Sequence, residues 1–539
     1  MEVSSLDQHR QLVDALRRCL AGARQVDVCE THFSTVLLAG EHAYKLKKPV
    51  AFDFVDFTTL AARRRACDDE LRLNARTAPQ LYQAVVPISG WLDAPTLGGA
   101  AGLWAPGAID VALRMRRFDG TQLLDALAAH RALPLAAMAP LGQAVSRLHA
   151  HAAVVDPASG FGTVACVRDW TVRTVQSLRA HTLAPADRAR LDAVAAWCEQ
   201  QLQQHAPLIA ARHAGGRVRE CHGDLHLGNI VLLDGVAVPF DALEFNAALR
   251  FIDVMSDVAF LWMDLLDHDL PAHAARLLGA WLEDSGDAEG LPLLRDFAVY
   301  RALVRAYVAQ LRAQQPGTPV AGRVREHGSF AQYLSLAERL RRAEPALVVM
   351  TGLSGSGKST IAAQLAERLG GVRVRSDVER KRLAGLDWHT PTGAAPALYT
   401  PEMSSRTYAR LQTVARAALA GGVPVVVDAA SLRRAERREL LATADALGAP
   451  ALVVECSAPL DVLRQRVALR AAQGGDPSDA TVAVLEAQRG WREPPADDER
   501  ARWLQIDTSA VPAAQAAACD AVLARLRGDA LASQGTISE

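Results

Sequence analysis

The chain has 539 residues, with 59 Lys and Arg against 60 Asp and Glu and a formal net charge of −1. That length exceeds a single hydrophobic core, and the near balance of charge excludes a chain-wide basic field for nucleic acid. Half the residues are apolar and 22% are charged, which fits a globular protein. The eight cysteines include no C-x-x-C pair, which argues against a zinc site or a disulfide framework. The N-terminus lacks the apolar core of a signal peptide, and no run of 18 apolar residues occurs. A cytoplasmic protein without membrane contact is expected.

Residues 7–20 place Leu12, Val13, Leu16 and Leu20 at helical spacing. Three strands follow between Gln25 and Pro49, then a helix from Thr59 to Arg76. Three strands and a helix is the order of a kinase N-lobe, in which a third-strand lysine meets nucleotide phosphates and pairs with a helix glutamate. Lys45 and Glu70 occupy those places. Lys47 shares the strand face of Lys45, because side chains alternate with period two, and competes for the role. No Gly-x-Gly-x-x-Gly covers the phosphates, so the turn Thr31-His32-Phe33-Ser34 would supply backbone N–H groups and hydroxyls instead. Strands are expected at 85–88 and 110–118, the second leading into an adenine hinge at 115–118, and helices at 141–152 and 187–205.

Residues 221–245, CHGDLHLGNIVLLDGVAVPFDALEF, carry the densest chemistry. His-Gly-Asp opens a tight loop, Asn229 follows Asp224 by five residues, and two apolar strands joined by Asp234-Gly235 end in Asp241. Asp224 would accept the proton of an attacking hydroxyl, while Asn229 and Asp241 would hold Mg²⁺ against ATP phosphates. The protein-kinase catalytic loop has the same Asp-to-Asn interval. Asp257, inside an apolar helix, needs hydrogen bonds to be tolerated; the resemblance to kinase-like C-lobes implies that an Asp here supports the catalytic-loop backbone.

After Glu344-Pro345, the strand Ala346–Thr351 runs into Gly352-Leu-Ser354-Gly355-Ser356-Gly357-Lys358-Ser359-Thr360, a complete G-x-x-x-x-G-K-[ST] between strand and helix. Its N–H groups would cradle phosphate, Lys358 would neutralise it, and Ser359 would ligate Mg²⁺. Later strands end at Asp377, at Asp428 as a Walker B-like residue, near Cys456 and at Asp507, which predicts a parallel, doubly wound sheet. Arg380 follows Asp377 at a helix start. Arg466 and Arg470 lie one helical turn apart, before a turn at 474–477.

The pattern HGDxHxxN looks like the aminoglycoside phosphotransferase and choline kinase branch. The segment after residue 345 is similar to polynucleotide-kinase-like and gluconate-kinase-like enzymes. That likeness implies Asp377 as activator of the acceptor hydroxyl, Arg380 as a substrate holder, and Arg466 and Arg470 as lid arginines. Residues 20–510 resemble bacterial bifunctional aminoglycoside phosphotransferase/ATP-binding proteins, also described as AAA-family ATPases. The matching stretches include Glu30-Thr-His, Tyr44-Lys-Leu-Lys-Lys-Pro-Val, Phe240-Asp-Ala-Leu-Glu-Phe-Asn and the P-loop. The expected architecture is a bilobal α+β kinase-like domain, with N-lobe 1–118 and helical C-lobe 119–343. An α/β P-loop domain at 344–527 and a tail at 528–539 complete it. The expected activity is ATP-dependent phosphorylation by both domains. The acceptors would be small-molecule hydroxyls or, for the P-loop domain, a sugar, nucleoside or polynucleotide end. The alternative keeps only the P-loop domain catalytic, with the kinase-like domain as an ATP-sensing or partner-binding module.

Overall fold

Ser34–Ala39, rich in β-branched and apolar residues, and His42–Lys47 pair antiparallel as a hairpin. They belong to a six-stranded antiparallel sheet. In chain order its strands are β1 (Asp27–Glu30), β2 (Ser34–Ala39), β3 (His42–Lys47), β6 (Tyr82–Gly90), β7 (Pro95–Leu97) and β8 (Ala108–Arg116). The spatial order is β1-β2-β3-β8-β6-β7. A small hairpin, β4 (Ala51–Phe52) with β5 (Val55–Asp56), precedes the helix Leu60–Asn74. Thr59 caps that helix by accepting the Ala62 N–H. Its buried residues Cys67, Glu70, Leu73 and Asn74 recur at three- and four-residue intervals and face the sheet.

The computed structural model describes residues 2–21, 25–31, 33–52, 55–98, 107–181, 183–314, 319–388, 396–473, 478 and 480–535. It divides into two compact units, Met1–Asp264 with Tyr300–Leu334, and Leu265–Val299 with Ser335–Glu539. In the first unit, helices follow the sheet, among them Met138–His151 and Pro185–Ala214. Two small antiparallel pairs then shape the loop region: β9 (Val218–Glu220) with β12 (Phe251–Asp253), and β10 (Ile230–Leu233) with β11 (Val236–Pro239).

The second unit holds five parallel strands. These are β13 (Leu347–Thr351), β14 (Val372–Arg375), β15 (Val425–Asp428), β16 (Ala451–Ser457) and β17 (Trp503–Asp507), ordered β14-β15-β13-β16-β17. Val348, Met350, Val426, Leu452 and Val454 pack under Ile361 and Leu365 of the helix Lys358–Leu369. In this strand order the chain steps first to one side of β13 and later to the other. That reversal opens a crevice at the carboxyl end of β13, where ligands of such sheets bind.

Residues 265–299, assigned by sequence to the helical lobe, cluster instead with the P-loop unit. The helix Pro271–Ser285 lies against β14 and the P-loop helix, with Arg276 paired to Glu367 and Arg373 to Glu283. Its apolar spacing resembles that of the lobe helices, so periodicity does not reveal which sheet it covers. The last helix, Pro512–Gly535, continues through much of the stretch separated by sequence as a tail, since Ala and Leu there favour helix. Among the described residues, no helix is long and apolar enough to cross a membrane.

Candidate active sites

Strand β9 delivers the chain into residues 221–229. Gly223 takes φ +84°, and a Cβ there would press on Leu243 Cβ and Leu249 O, both at 3.1 Å, which explains a glycine at this turn. Asp257 secures the loop from below, accepting the N–H of His222 at 2.9 Å and of Gly223 at 3.0 Å, with His149 Nε2 3.1 Å away. Burial opposes its charge, but the His149 and His222 interactions outweigh it and bring Asp257 down to about 2.

A depressed carboxylate stabilises the fold above its unfolded value, and that stability is lost as pH falls through the folded value. Asp257 therefore contributes about 2 kcal/mol at neutral pH, lost between about pH 5 and pH 2. Asp257→Asn should flatten the pH dependence of stability in that window, as read by denaturant midpoints.

Asn229 Nδ2 donates to Asp224 O at 2.9 Å and to Asp224 Oδ2 at 3.0 Å, leaving its amide oxygen for another partner. The β10–β11 hairpin returns the chain, and Phe240 N–H bonds Asn229 O, setting Asp241 just beyond. Asp241 has φ +60°, uncommon for a non-glycine residue. Tyr82 Oη accepts its N–H, and Asn74 Oδ1 accepts that of Ala242, so two elements hold this conformation.

Lys45 Nζ donates to Glu70 Oε1 at 2.8 Å and to Asp241 Oδ1 at 2.5 Å. Lys47 Nζ reaches Glu70 Oε2 and Glu244 Oε1, both at 2.5 Å, and is buried. Glu70 thus bridges both lysines, but only Lys45 extends to Asp241 among the described contacts. Burial works against the Lys45 charge, and the Asp241 and Glu70 carboxylates outweigh it, keeping the ammonium well above its ordinary range. In the turn expected from sequence to cover the phosphates, Thr31 Oγ1 accepts the Ser34 N–H, while His32 lies outside the described residues.

Two side chains flank Asp224: His226, the second histidine of the HGDxHxxN pattern, and Arg305, which carried no sequence signal for this position. His226 Nδ1 accepts the Gly228 N–H at 3.1 Å, so the neutral ring carries its proton on Nε2, 3.5 Å from Asp224 Oδ2. Arg305 Nη1 lies 3.2 Å from that Nε2, and its Nε donates to Tyr333 Oη. Burial alone would raise Asp224, but His226 and Arg305 hold it well below the usual carboxylate range.

In the second unit, Gly352 leaves β13 at φ +141°, where a Cβ would strike Cys456 O at 2.4 Å. Lys358 Nζ bonds Leu353 O at 2.8 Å. Ser359 Oγ donates to Asp428 Oδ1 at 3.3 Å. Asp428 Oδ2 is buried without a hydrogen-bond partner. That oxygen lies 3.9 Å from Arg375 Nε, and a serine hydroxyl beside a buried carboxylate suits a hard divalent cation.

Ser354, Gly355, Gly357, Lys358, Ser359 and Thr360 line a cavity of about 520 Å³, together with Asp377, Arg380, Asp428, Arg466 and Arg470. Gly352 and Ser356 lie outside its lining. Arg466 bonds Gly355 O and both oxygens of Thr508, bracing the loop from behind. Arg375, paired in register with Asp428, also lines the cavity and was not singled out from sequence. Burial raises Asp377, with Arg380 opposing, and burial lowers Lys358, with Asp428 opposing. The turn at 474–477 lies outside the described residues.

A bilobal kinase-like fold joined to a P-loop fold is the class these units define. Residues 57–303 match the phosphotransferase enzyme family, and residues 347–495 match an AAA domain. The chain is 31% identical over 473 residues to uncharacterized protein Rv2004c of Mycobacterium tuberculosis and to uncharacterized protein Mb2027c of Mycobacterium bovis. In each case 86% of this chain and 89% of the relative are covered. It belongs to the family of these proteins, and in this chain a phosphotransferase-family match precedes an AAA-domain match. Among solved structures, a gluconokinase from Sinorhizobium meliloti is 24% identical, covering 34% of this chain and 95% of that one at a TM-score of 0.26. A choline/ethanolamine kinase family protein from Mesorhizobium loti is 13% identical, covering 61% and 99% at a TM-score of 0.34.

Proposed function

We propose that the protein is a two-domain phosphotransferase, each unit moving the γ-phosphate of ATP to an acceptor hydroxyl. The observation that carries this reading is the pairing of two constellations in the first unit: Lys45–Glu70–Asp241 and Asp224–Asn229. Either alone has structural explanations, while together they supply phosphate neutralisation, cation ligands and a proton acceptor.

Lys45, which reaches Asp241, would contact the nucleotide phosphates, and Lys47 would position Glu70. The acceptor O–H proton passes to the Asp224 carboxylate. The acceptor oxygen bonds the γ-phosphorus as the bond to the β–γ bridging oxygen breaks, and that electron pair leaves with ADP. Mg²⁺, when bound, offsets charge on the phosphates. Asn229 and Asp241 would hold it in one unit, and Ser359 and Asp428 in the other. In the P-loop unit Lys358 would hold the phosphates, Asp377 would take the acceptor proton, and Arg380 would hold a sugar, nucleoside or polynucleotide end. Arg470 faces the same cavity as a lid arginine, and Arg466 would keep the phosphate loop in shape.

A second reading leaves the first unit as an ATP sensor, favoured by the absence of a Gly-x-Gly-x-x-Gly sequence. Product analysis of Asp224→Ala beside the wild type separates the two readings, since a sensor role predicts unchanged products in the variant. With [γ-³²P]ATP and a metabolite and oligonucleotide panel, label should appear in phosphorylated acceptors. Release of inorganic phosphate with no labelled acceptor would sink the phosphotransferase reading.

A further inference from the structure

The surroundings of Asp224 also bear on the acceptor itself, given the phosphotransferase reading of the first unit. The His226 ring directs its Nε2–H toward Asp224, because Nδ1 is taken by the Gly228 N–H. Arg305 Nη1, 3.2 Å from the same Nε2, therefore meets another donor. Among the described residues no oxygen accepts from that Nη1–H, although the Asp264 and Asp224 carboxylates lie near enough to favour the guanidinium charge. Arg305 is only partly buried, so a ligand can reach it.

Charge on the same helix points the same way. Arg301 and Arg312 lie one turn before Arg305 and two turns after it, on one helical face. Arg301 stacks over Phe260 at 4.8 Å and donates to Gly223 O at 3.2 Å, which places this face against the catalytic loop. The Arg312 charge is opposed by burial and by Arg305, and supported by Glu326, Tyr333 and Asp224. An ammonium-bearing acceptor would add a positive charge to this face. A carboxylate or phosphate would instead give Arg305 the planar, charge-assisted partner that guanidinium binds best.

We infer that the acceptor of the kinase-like unit is an anionic hydroxy compound, its carboxylate or phosphate held by Arg305 while its hydroxyl faces Asp224. Arg305 is a specificity-determining residue in this assignment, and His226 a positioning residue that orients the Asp224 carboxylate.

The test uses the full chain carrying Lys358→Ala, so that the P-loop unit is silenced. Transfer of ³²P from [γ-³²P]ATP is measured to four classes of hydroxy compound: cationic (ethanolamine, choline), neutral (glycerol, hexoses), carboxylate (glycerate, sugar acids) and phosphate (glycerol 3-phosphate, hexose phosphates). Labelling is expected in the carboxylate or the phosphate class, and which of them is labelled identifies the anion. Arg305→Gln should then raise the KM for that acceptor about 10- to 100-fold, the size of a lost charge-assisted hydrogen bond, with a much smaller change in kcat. Arg305→Lys should recover part of that loss. Labelling of the cationic or neutral class overturns the anionic assignment and leaves the phosphotransferase reading standing, as does an unchanged KM in Arg305→Gln. Absence of label from every class, with ATP turnover indifferent to Asp224→Ala, overturns both.

Discussion

Asp224→Ala should lower kcat for acceptor phosphorylation by the kinase-like unit about 10²- to 10⁴-fold, the range a positioned proton acceptor contributes. KM for ATP should change little, because Lys45, proposed to contact the phosphates, and its partners Glu70 and Asp241 sit on other elements. The loop should keep its shape, since Asp257 holds the N–H groups of His222 and Gly223 independently of the Asp224 side chain. Steady-state kinetics with the labelled acceptor measures both parameters. Asp224 is also held well below the usual carboxylate range. It should stay ionised throughout, and no acid limb attributable to it should appear in the pH–rate profile above about pH 4.

Lys358→Ala should reduce transfer by the P-loop unit about 10²- to 10³-fold, comparable to losing one preorganised donor to developing charge. The cavity around Lys358 is already supplied with cations, yet Arg466 is committed to Gly355 and Thr508. It cannot take over the phosphate without releasing the loop it braces. Stability should suffer little, because the protein partner recorded for Lys358 Nζ is a single loop carbonyl. Thermal melting of the variant, beside its transfer rate, separates lost chemistry from lost fold.

Much of this was legible because two motifs place their residues close together in sequence. Asp224, Asn229 and Asp241 lie within one hairpin-bearing segment, and the P-loop is contiguous from Gly352 to Thr360. The choice between Lys45 and Lys47 was not legible. Both project from one face of β3, and both reach Glu70. What separates them is a long-range partner, Asp241 for one and Glu244 for the other, and strand periodicity carries no information about that.

Arg305 was equally hidden. It sits in a helix rich in Ala, Leu and Arg, about 80 positions beyond Asp224, where arginines are ordinarily solvated charges. The arginine cluster on Glu220, formed by Arg72, Arg76 and Arg250, joins the N-lobe helix to the strand before the catalytic loop and is likewise a product of packing. The packing of residues 265–299 with the P-loop unit is a further product of tertiary contact. Residues 265–299 are amphipathic helices, and an apolar stripe specifies that a face is covered, not which sheet covers it.

The central claim is that two separate sites in one chain each transfer phosphate. The most direct measurement follows labelled products from [γ-³²P]ATP in wild type, Asp224→Ala, Lys358→Ala and the double variant, against one acceptor panel. Each single variant is predicted to lose one set of products and keep the other, and the double variant to lose both. Full retention of every product in Asp224→Ala, with loss of all of them in Lys358→Ala, would contradict the claim and leave the kinase-like unit without a catalytic role.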